Sequence, residues 1–419
     1  MRTEVAIHGG TTTSTNYLTW TPSPAEIWLS NTEGATDPVR VRLRNQRPDV
    51  GGQVVISEAT DFVASEELLL DLPPDGTHVP FLIAGKHPHA SLADGDAAVE
   101  VVDASTDQPL SITQLMVRIR KDANLMTYGE RDRFVSAFAT FNGRGLGRFS
   151  VFRDMHRGIS YYEAHGYPAF LSWHRAYLLD LERELQGIDP SVALPYWRFD
   201  RPAPNLFDVA FLGETDPFGT VTFAPSNPIQ YWRTDSGDGI TRDPLFDQHT
   251  DSALVISEQA TLAYGSTYDD FSRMEGNPHG SAHTSFTGWI QNPATSPKDP
   301  VFFLLHCNVD RLWAKWQREN GRFDPSDVDA YPHQGQAGTA SQTTRVGHNR
   351  LDTMWPWNGV VGTTGGQFDR PPTAPGGALT PSSIVAAPSV KPTVGEMLDW
   401  QGQIGPASGM GFDYDDVPY

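Results

Sequence analysis

The chain has 419 residues, 38% of them hydrophobic, and a formal net charge of −20. That length suffices for a large core and more than one domain, and the charge argues against nucleic acid and anionic membranes as partners, since no basic patch offsets phosphate repulsion. Apolar runs such as VFFLLHCNV fall short of the roughly 20 residues that span a bilayer, and the one cysteine, Cys307, excludes an intrachain disulfide. The start, MRTEVAIHGG, lacks the apolar core of a signal peptide. A cytoplasmic protein is expected, or a secreted one whose leader has been removed.

Residues 1–120 read as all-β. In VRVRLRN, Val39, Val41 and Leu43 alternate with Arg40, Arg42 and Arg44, the pattern of a half-buried strand. Further short runs follow at QVVIS, ELLLDL, HVPFLIAG, AAVEVVDA and SITQLMVRIRK, separated by turn-forming stretches such as Pro73–Thr77 and Ala93–Ala97. About seven strands over that length predict an immunoglobulin-like sandwich. His8, His78, His87 and His89 have no spacing that suits a metal beyond the His87/His89 pair, and they read as surface residues.

Near Lys121 the period changes. ERDRFVSAFATFNG carries apolar residues at helical spacing, Trp173–Gly187 reads as an amphipathic helix closed by Gly187, and Asp299–Asn320 as another, with Asp299 as N-cap and Pro300 in its first turn. Residues 200–260, rich in Pro, Gly, Asp and Thr, read as surface loops around a site mouth. After Arg345 regularity falls away. Pro371–Pro392 reads as an extended connection, and Thr393–Trp400 as a short helix with the capping pair Thr393 and Glu396. The expected division is a β-sandwich at 1–120 and a mainly helical domain at 121–419, its loop-rich part from 345 onward wrapping it.

Six histidines stand out. His156, His165 and His174 are spaced nine apart, and His279, His283 and His306 form a second group. Any one of them is more often a hydrogen-bonded core residue; two groups of three with helix-forming flanks are another matter. His279 and His283, four apart, share a helix face. The same spacing in zinc proteases requires Glu after the first His, where this chain has Gly280. All-imidazole triads suit copper better than facial-triad iron, and two triads suggest two ions. Asp310, one turn beyond His306, is positioned to accept from a ligand imidazole; the alternative is a surface ion pair with Arg311 or Arg318. Phe302, Phe303, Trp173 and Trp313 read as core packing rather than substrate platforms, and Cys307 as a small packing residue.

The flanking motifs FLSWHRAYLLDLE, LPYW, NPHGSAH and DPVFFLLHCNVDRLW resemble the tyrosinase, catechol oxidase and molluscan haemocyanin superfamily over roughly 124–419. The resemblance implies a four-helix bundle around a type-3 dicopper centre, with His156, His165 and His174 on CuA and His279, His283 and His306 on CuB. It implies a copper-dependent polyphenol oxidase that turns o-diphenols or o-aminophenols into o-quinones while O2 is reduced to water. The alternatives are a tyrosinase with true monophenol hydroxylation, or a haemocyanin-like O2 carrier, which the single unit without repeats argues against. Glu275 matches a position where relatives carry a Glu that orients a water; the alternative is an ordinary exposed Glu. Gly280 stands where hydroxylating relatives have Asn, and Leu305 where many have a further His. The cysteine that many relatives link to the middle CuA histidine is missing, LPYWRF replaces LPYWDW, and the chain stops at a Tyr-rich end with no plug domain following.

Overall fold

The computed structural model describes the chain except at 9–15, 33, 35, 47, 48, 50, 157–160, 236, 336–345, 360, 361, 364–368 and 371–376. Part of the extended connection expected after Pro371 therefore lies outside the described residues. The chain divides into two compact units: one holds 1–119, 382–385 and 411–419, the other 120–381 and 386–410.

The first unit is β-rich. Strands β1 (Arg2–Ile7), β3 (Ser23–Asn31), β7 (Val79–Gly85) and β5 (Val54–Glu58) form one sheet in the order β1-β3-β7-β5. Strands β2 (Tyr17–Leu18), β9 (Pro109–Val117), β8 (Ala97–Asp103), β4 (Val39–Asn45) and β6 (Glu67–Leu72) form the other, in that order. β4 alternates as its sequence dictates, with Val39, Val41 and Leu43 buried. Residues from both sheets, among them Ile27, Ile83, Val41, Val99 and Val117, share one apolar core. The sequence reading missed β1 to β3. It also gave the end of the chain to the helical domain, whereas residues 411–419 group with the β-rich unit. There the Tyr414 carbonyl accepts the buried Trp20 indole N–H at 2.9 Å, and Asp413 Oδ2 accepts from the Thr21 amide at 3.0 Å.

The second unit holds the helices α1 (Tyr128–Asn142), α2 (Phe149–Met155), α3 (Tyr161–Ala164), α4 (Phe170–Gln186), α5 (Glu258–Leu262), α6 (Tyr268–Phe271), α7 (Ser281–Thr284) and α8 (Val301–Asn320). α1 starts at a reciprocal cap between Thr127 and Glu130 and stops at Gly143, whose φ of 53° is left-handed. α8 begins beside Asp299, which accepts from the Val301 amide at 3.0 Å while its two oxygens take Arg242 Nε and Nη2 at 2.7 Å each.

The long helices differ from the amphipathic reading. α4 is buried on nearly every side, including Arg175, Asp180, Glu182 and Arg183. Charges enter such an interior only when paired. The Arg120 guanidinium grips Glu182 (Nη2–Oε2 2.6 Å) and reaches Asp310 on α8 (Nη1–Oδ2 3.2 Å), and Arg175 Nε meets the other Asp310 oxygen at 2.6 Å. Asp180 accepts from the Trp357 indole at 2.8 Å and the Thr380 amide at 2.9 Å. This two-Arg, two-carboxylate cluster cross-links α4 and α8, the two long helices that carry a histidine. Of the expected four-helix bundle, α4 and α8 are the long members. The other histidine-bearing pieces are short: α2, and a π-helical turn, Gly276–Gly280, leading into α7. No helix among the described residues is long and apolar enough to cross a membrane.

Candidate dinuclear metal centre

The six histidines lie in the second unit and form two groups, His156 with His165 and His174, and His279 with His283 and His306. Within each group the ligand atoms are no more than 4.8 Å apart. His156 caps the end of α2, His165 follows α3, His174 is in the first half of α4, His279 is in the π-helical turn, His283 in α7 and His306 in α8. The groups face each other: the His174 and His306 rings stack with centroids 4.2 Å apart and planes 8° from parallel.

Backbone carbonyls set the tautomers. His156 Nδ1 lies 3.0 Å from the Pro293 carbonyl, His174 Nδ1 2.9 Å from that of Phe170, His279 Nδ1 2.7 Å from that of Glu275 and His283 Nδ1 2.8 Å from that of Ile290. A carbonyl only accepts, so each of these Nδ1 atoms carries the proton and each Nε2 bears a lone pair. Burial pushes His156 down to about 3 and His283 to about 4, and drives the other four well below the usual imidazole range, so the rings are neutral.

The donor set fits a metal. His156 Nε2 and His174 Nε2 stand 3.4 Å apart with lone pairs toward each other, a contact with no proton to make it a hydrogen bond. His279 Nε2 is buried with no hydrogen-bond partner. Two ligand nitrogens at about 2.0–2.1 Å from one tetrahedral ion would be roughly 3.3 Å apart, which matches the His156–His174 spacing and the 3.2 Å between His283 and His306 Nε2. A cation at each triad resolves what is otherwise lone-pair repulsion and an orphaned acceptor.

Two phenylalanines complete the walls. The Phe302 ring centroid lies 4.3 Å from that of His306 and 4.9 Å from that of His156; the Phe170 centroid lies 4.7 Å from His174 and 4.8 Å from His279. Each touches both triads. Phe302 is fully buried, as its core-packing reading expects, and it lines the centre as well; Phe170 carries no expectation from the sequence. Both sit four residues before a ligand on the same helix, so helical periodicity carried the signal. The carbonyls of Pro293 and Ile290 had no signal in the sequence.

Asp310 is not where the sequence reading put it. Its oxygens accept from Arg175 and Arg120, His306 Nδ1 has no hydrogen-bond partner, and the imidazoles of His156, His174, His279 and His283 are held by carbonyls instead. Asp310 therefore ties helices together; it is neither a ligand's acceptor nor, at 2% exposure, a surface ion pair.

Glu275 is at the centre. Its Oε1 accepts from the Gly166 amide, next to His165, at 2.7 Å, while its own carbonyl holds His279. Burial raises its carboxyl to about 7. Gly280 follows His279 in the π-helical turn with ordinary helical backbone angles, and a Cβ there would meet the Glu275 carbonyl oxygen at 3.3 Å. Cys307 is buried with its thiol toward the Leu194 carbonyl, a packing residue as expected.

Six neutral imidazoles in two facing triads define a dinuclear copper site of the kind that the donor chemistry favours. Residues 146–319 match the tyrosinase family, described as the common central domain of tyrosinase. The chain is 33% identical over 272 residues to the tyrosinase of Streptomyces glaucescens, covering 57% of this chain and 92% of that protein. It is 30% identical over 260 residues to the grixazone synthase of Streptomyces griseus, covering 48% and 85%. Deoxygenated hemocyanin from Rapana thomasiana superposes with a TM-score of 0.46 at 19% identity, covering 72% of this chain and 70% of that one. The chain belongs to the tyrosinase family, and its two histidine triads are the CuA and CuB sites of a binuclear copper enzyme.

Proposed function

We propose that the chain oxidises o-diphenols to o-quinones: two diphenols each lose two electrons and two protons, and one O2 becomes two waters. Copper bound at the two triads supplies the redox couple between diphenol and dioxygen. The observation that carries the reading is the pair of facing triads, with Nε2 of His156 close to that of His174 and Nε2 of His283 close to that of His306. The protein's own part is positional. Four carbonyl-locked imidazoles, those of His156, His174, His279 and His283, hold their Nε2 atoms toward the site, and Phe170 and Phe302 keep water from the flanks of the pair. His156, His174 and His306 are at most 1% exposed, whereas His165, His279 and His283 are 5–9% exposed. A planar phenol therefore approaches past these three. The test is copper per chain together with O2 uptake on matched phenols, catechols and aminophenols.

Diphenol oxidation is expected to exceed monophenol hydroxylation. A monophenol must first lose its proton to a base or a held water. The second Glu275 oxygen makes no hydrogen bond to the described residues and suits the water-holding role that the family resemblance implies. Gly280 offers no side chain as its partner. With trace catechol present to remove any lag, the initial rate on a phenol should fall about 100-fold below that on the matched catechol, the low end of what a positioned base contributes. Gly280→Asn should raise the phenol rate selectively. Because a Cβ at 280 is tight against the Glu275 carbonyl, the variant's copper content is measured alongside. Equal rates in the parent would overturn the preference.

We also assign residues 1–120 to an immunoglobulin-like sandwich that brings no catalytic group. The sheet orders β1-β3-β7-β5 and β4-β8-β9 support it, since they correspond to the A-B-E-D and C-F-G sets of such domains. β6 beside β4 departs from the simple order.

A further inference from the structure

Of the two CuA ligands aimed by backbone carbonyls, His156 and His174, His156 is the one whose acceptor is remote in sequence. It lies just past the end of the seven-residue α2, and its ring is aimed by one hydrogen bond, to the carbonyl of Pro293, 137 residues on. Both ends of that bond are fastened to the same carboxylate. Asp235 occupies the turn between the paired segments Arg233–Thr234 and Gly237–Asp238, with a φ of 53° that such tight hairpins require. Its Oδ1 lies 2.5 Å from Arg153 Nη1, and its Oδ2 lies 2.6 Å from Lys298 Nζ. Arg153 is on α2, three residues before His156, and its guanidinium also holds Asp154 through Nε and Nη2 at 2.9 and 3.0 Å. Lys298 ends the short 3-10 turn Ser296–Lys298, five residues after Pro293. That stretch is stiffened by the Ser296 amide on the Asn292 carbonyl at 2.8 Å and the Trp232 indole on the Lys298 carbonyl at 2.8 Å.

We propose that Asp235 is a positioning residue for His156: by neutralising Arg153 and Lys298 together, it holds α2 against the Pro293 segment and so sets where His156 Nε2 points. The inference rests on the copper reading of the triads. Without the Asp235 carboxylate, Asp154 still pairs with Arg153, but Lys298 is left without this counter-charge and repels the Arg153 guanidinium across the seam that the His156 hydrogen bond must span. Arg153 and Lys298 are only 9% and 17% exposed at their side chains, so solvent screens little of that repulsion.

The variant to make is Asp235→Asn, since Asn keeps the turn's left-handed conformation while the charge is lost. Metal-free parent and variant are titrated with copper against a competing chelator, and their metal-free unfolding temperatures are compared. Expected is a weakening of one of the two copper sites by roughly 10-fold or more, the range seen when groups that orient a ligand are removed, with the other site and the metal-free unfolding temperature close to the parent's. Combining Asp235→Asn with Lys298→Gln should restore part of the lost affinity, because the uncompensated cation facing the Arg153–Asp154 pair is then gone. A parent that binds two coppers and a variant with the same two affinities overturn this inference alone. Equal weakening of both sites with a lowered unfolding temperature also overturns it, in favour of a general structural role. A parent that takes up no copper overturns the copper reading and this inference with it.

Discussion

Replacing His174 or His306 with leucine abolishes diphenol oxidation and lowers copper from two ions per chain to one or none, while the metal-free variant unfolds at the parent's temperature or above it. The first half follows from the donor count: each ion has three imidazoles, and these two rings stack at the junction of the triads. The second half follows from the metal-free energetics. His174 and His306 are 1% and 0% exposed, and each presents Nε2 to a neighbour's Nε2 at 3.4 or 3.2 Å. Without an ion such a buried polar atom costs about 1–3 kcal/mol, and an apolar side chain of similar size removes that cost. Metal analysis, O2 uptake and thermal unfolding of metal-free protein check both halves. Full activity in either variant would refute the ligand assignment; a sharply destabilised metal-free variant would refute the account of the cost.

Arg120→Met should destabilise the protein by about 3–5 kcal/mol, the usual consequence of removing one partner from a buried ion pair. The Arg120 side chain is fully buried, its partners Glu182 and Asp310 are each 2% exposed, and Glu182 already accepts from the Leu194 amide at 2.9 Å. Removal leaves Arg175 alone to balance two carboxylates. The loss should reach the metal centre, because Arg175 follows His174 and Asp310 lies one turn after His306. Arg120→Lys should recover little, since one ammonium cannot reproduce the planar fork that meets both carboxylates. Denaturant unfolding of the full chain measures the change, and a loss under 1 kcal/mol would show that the cluster relaxes around the gap.

The centre was legible in the sequence because it is written locally. The nine-residue spacings of the first triad, the four-residue spacing of His279 and His283, and the helical flanks of His174 and His306 all lie within short windows. β4 was legible for the same reason. What escaped depends on distant partners. Arg120 finds Glu182 and Asp310 at separations of 62 and 190 residues, so nothing near it marks it as buried. Asp310 was misassigned because helical spacing puts it one turn from His306, but spacing cannot say which of two facing helices claims a carboxylate. The π-helical turn at Gly276–Gly280 reads as plain helix in the sequence because its His279 stands four residues before His283 of α7, the spacing of one helix face.

The grouping of residues 411–419 with the β-rich unit bears on how the chain is made. Synthesis runs from the first residue to the last, and domains generally fold as they emerge. The Trp20 indole, buried at 1% exposure, finds its acceptor at Tyr414, 394 residues later. On the ribosome, the nine strands described in 1–119 emerge while the Trp20 donor waits for residues 411–419. The unit that starts first is thus incomplete until residues 411–419 emerge, and a chain cut short before them would hold every copper ligand yet leave its oldest fold unsealed.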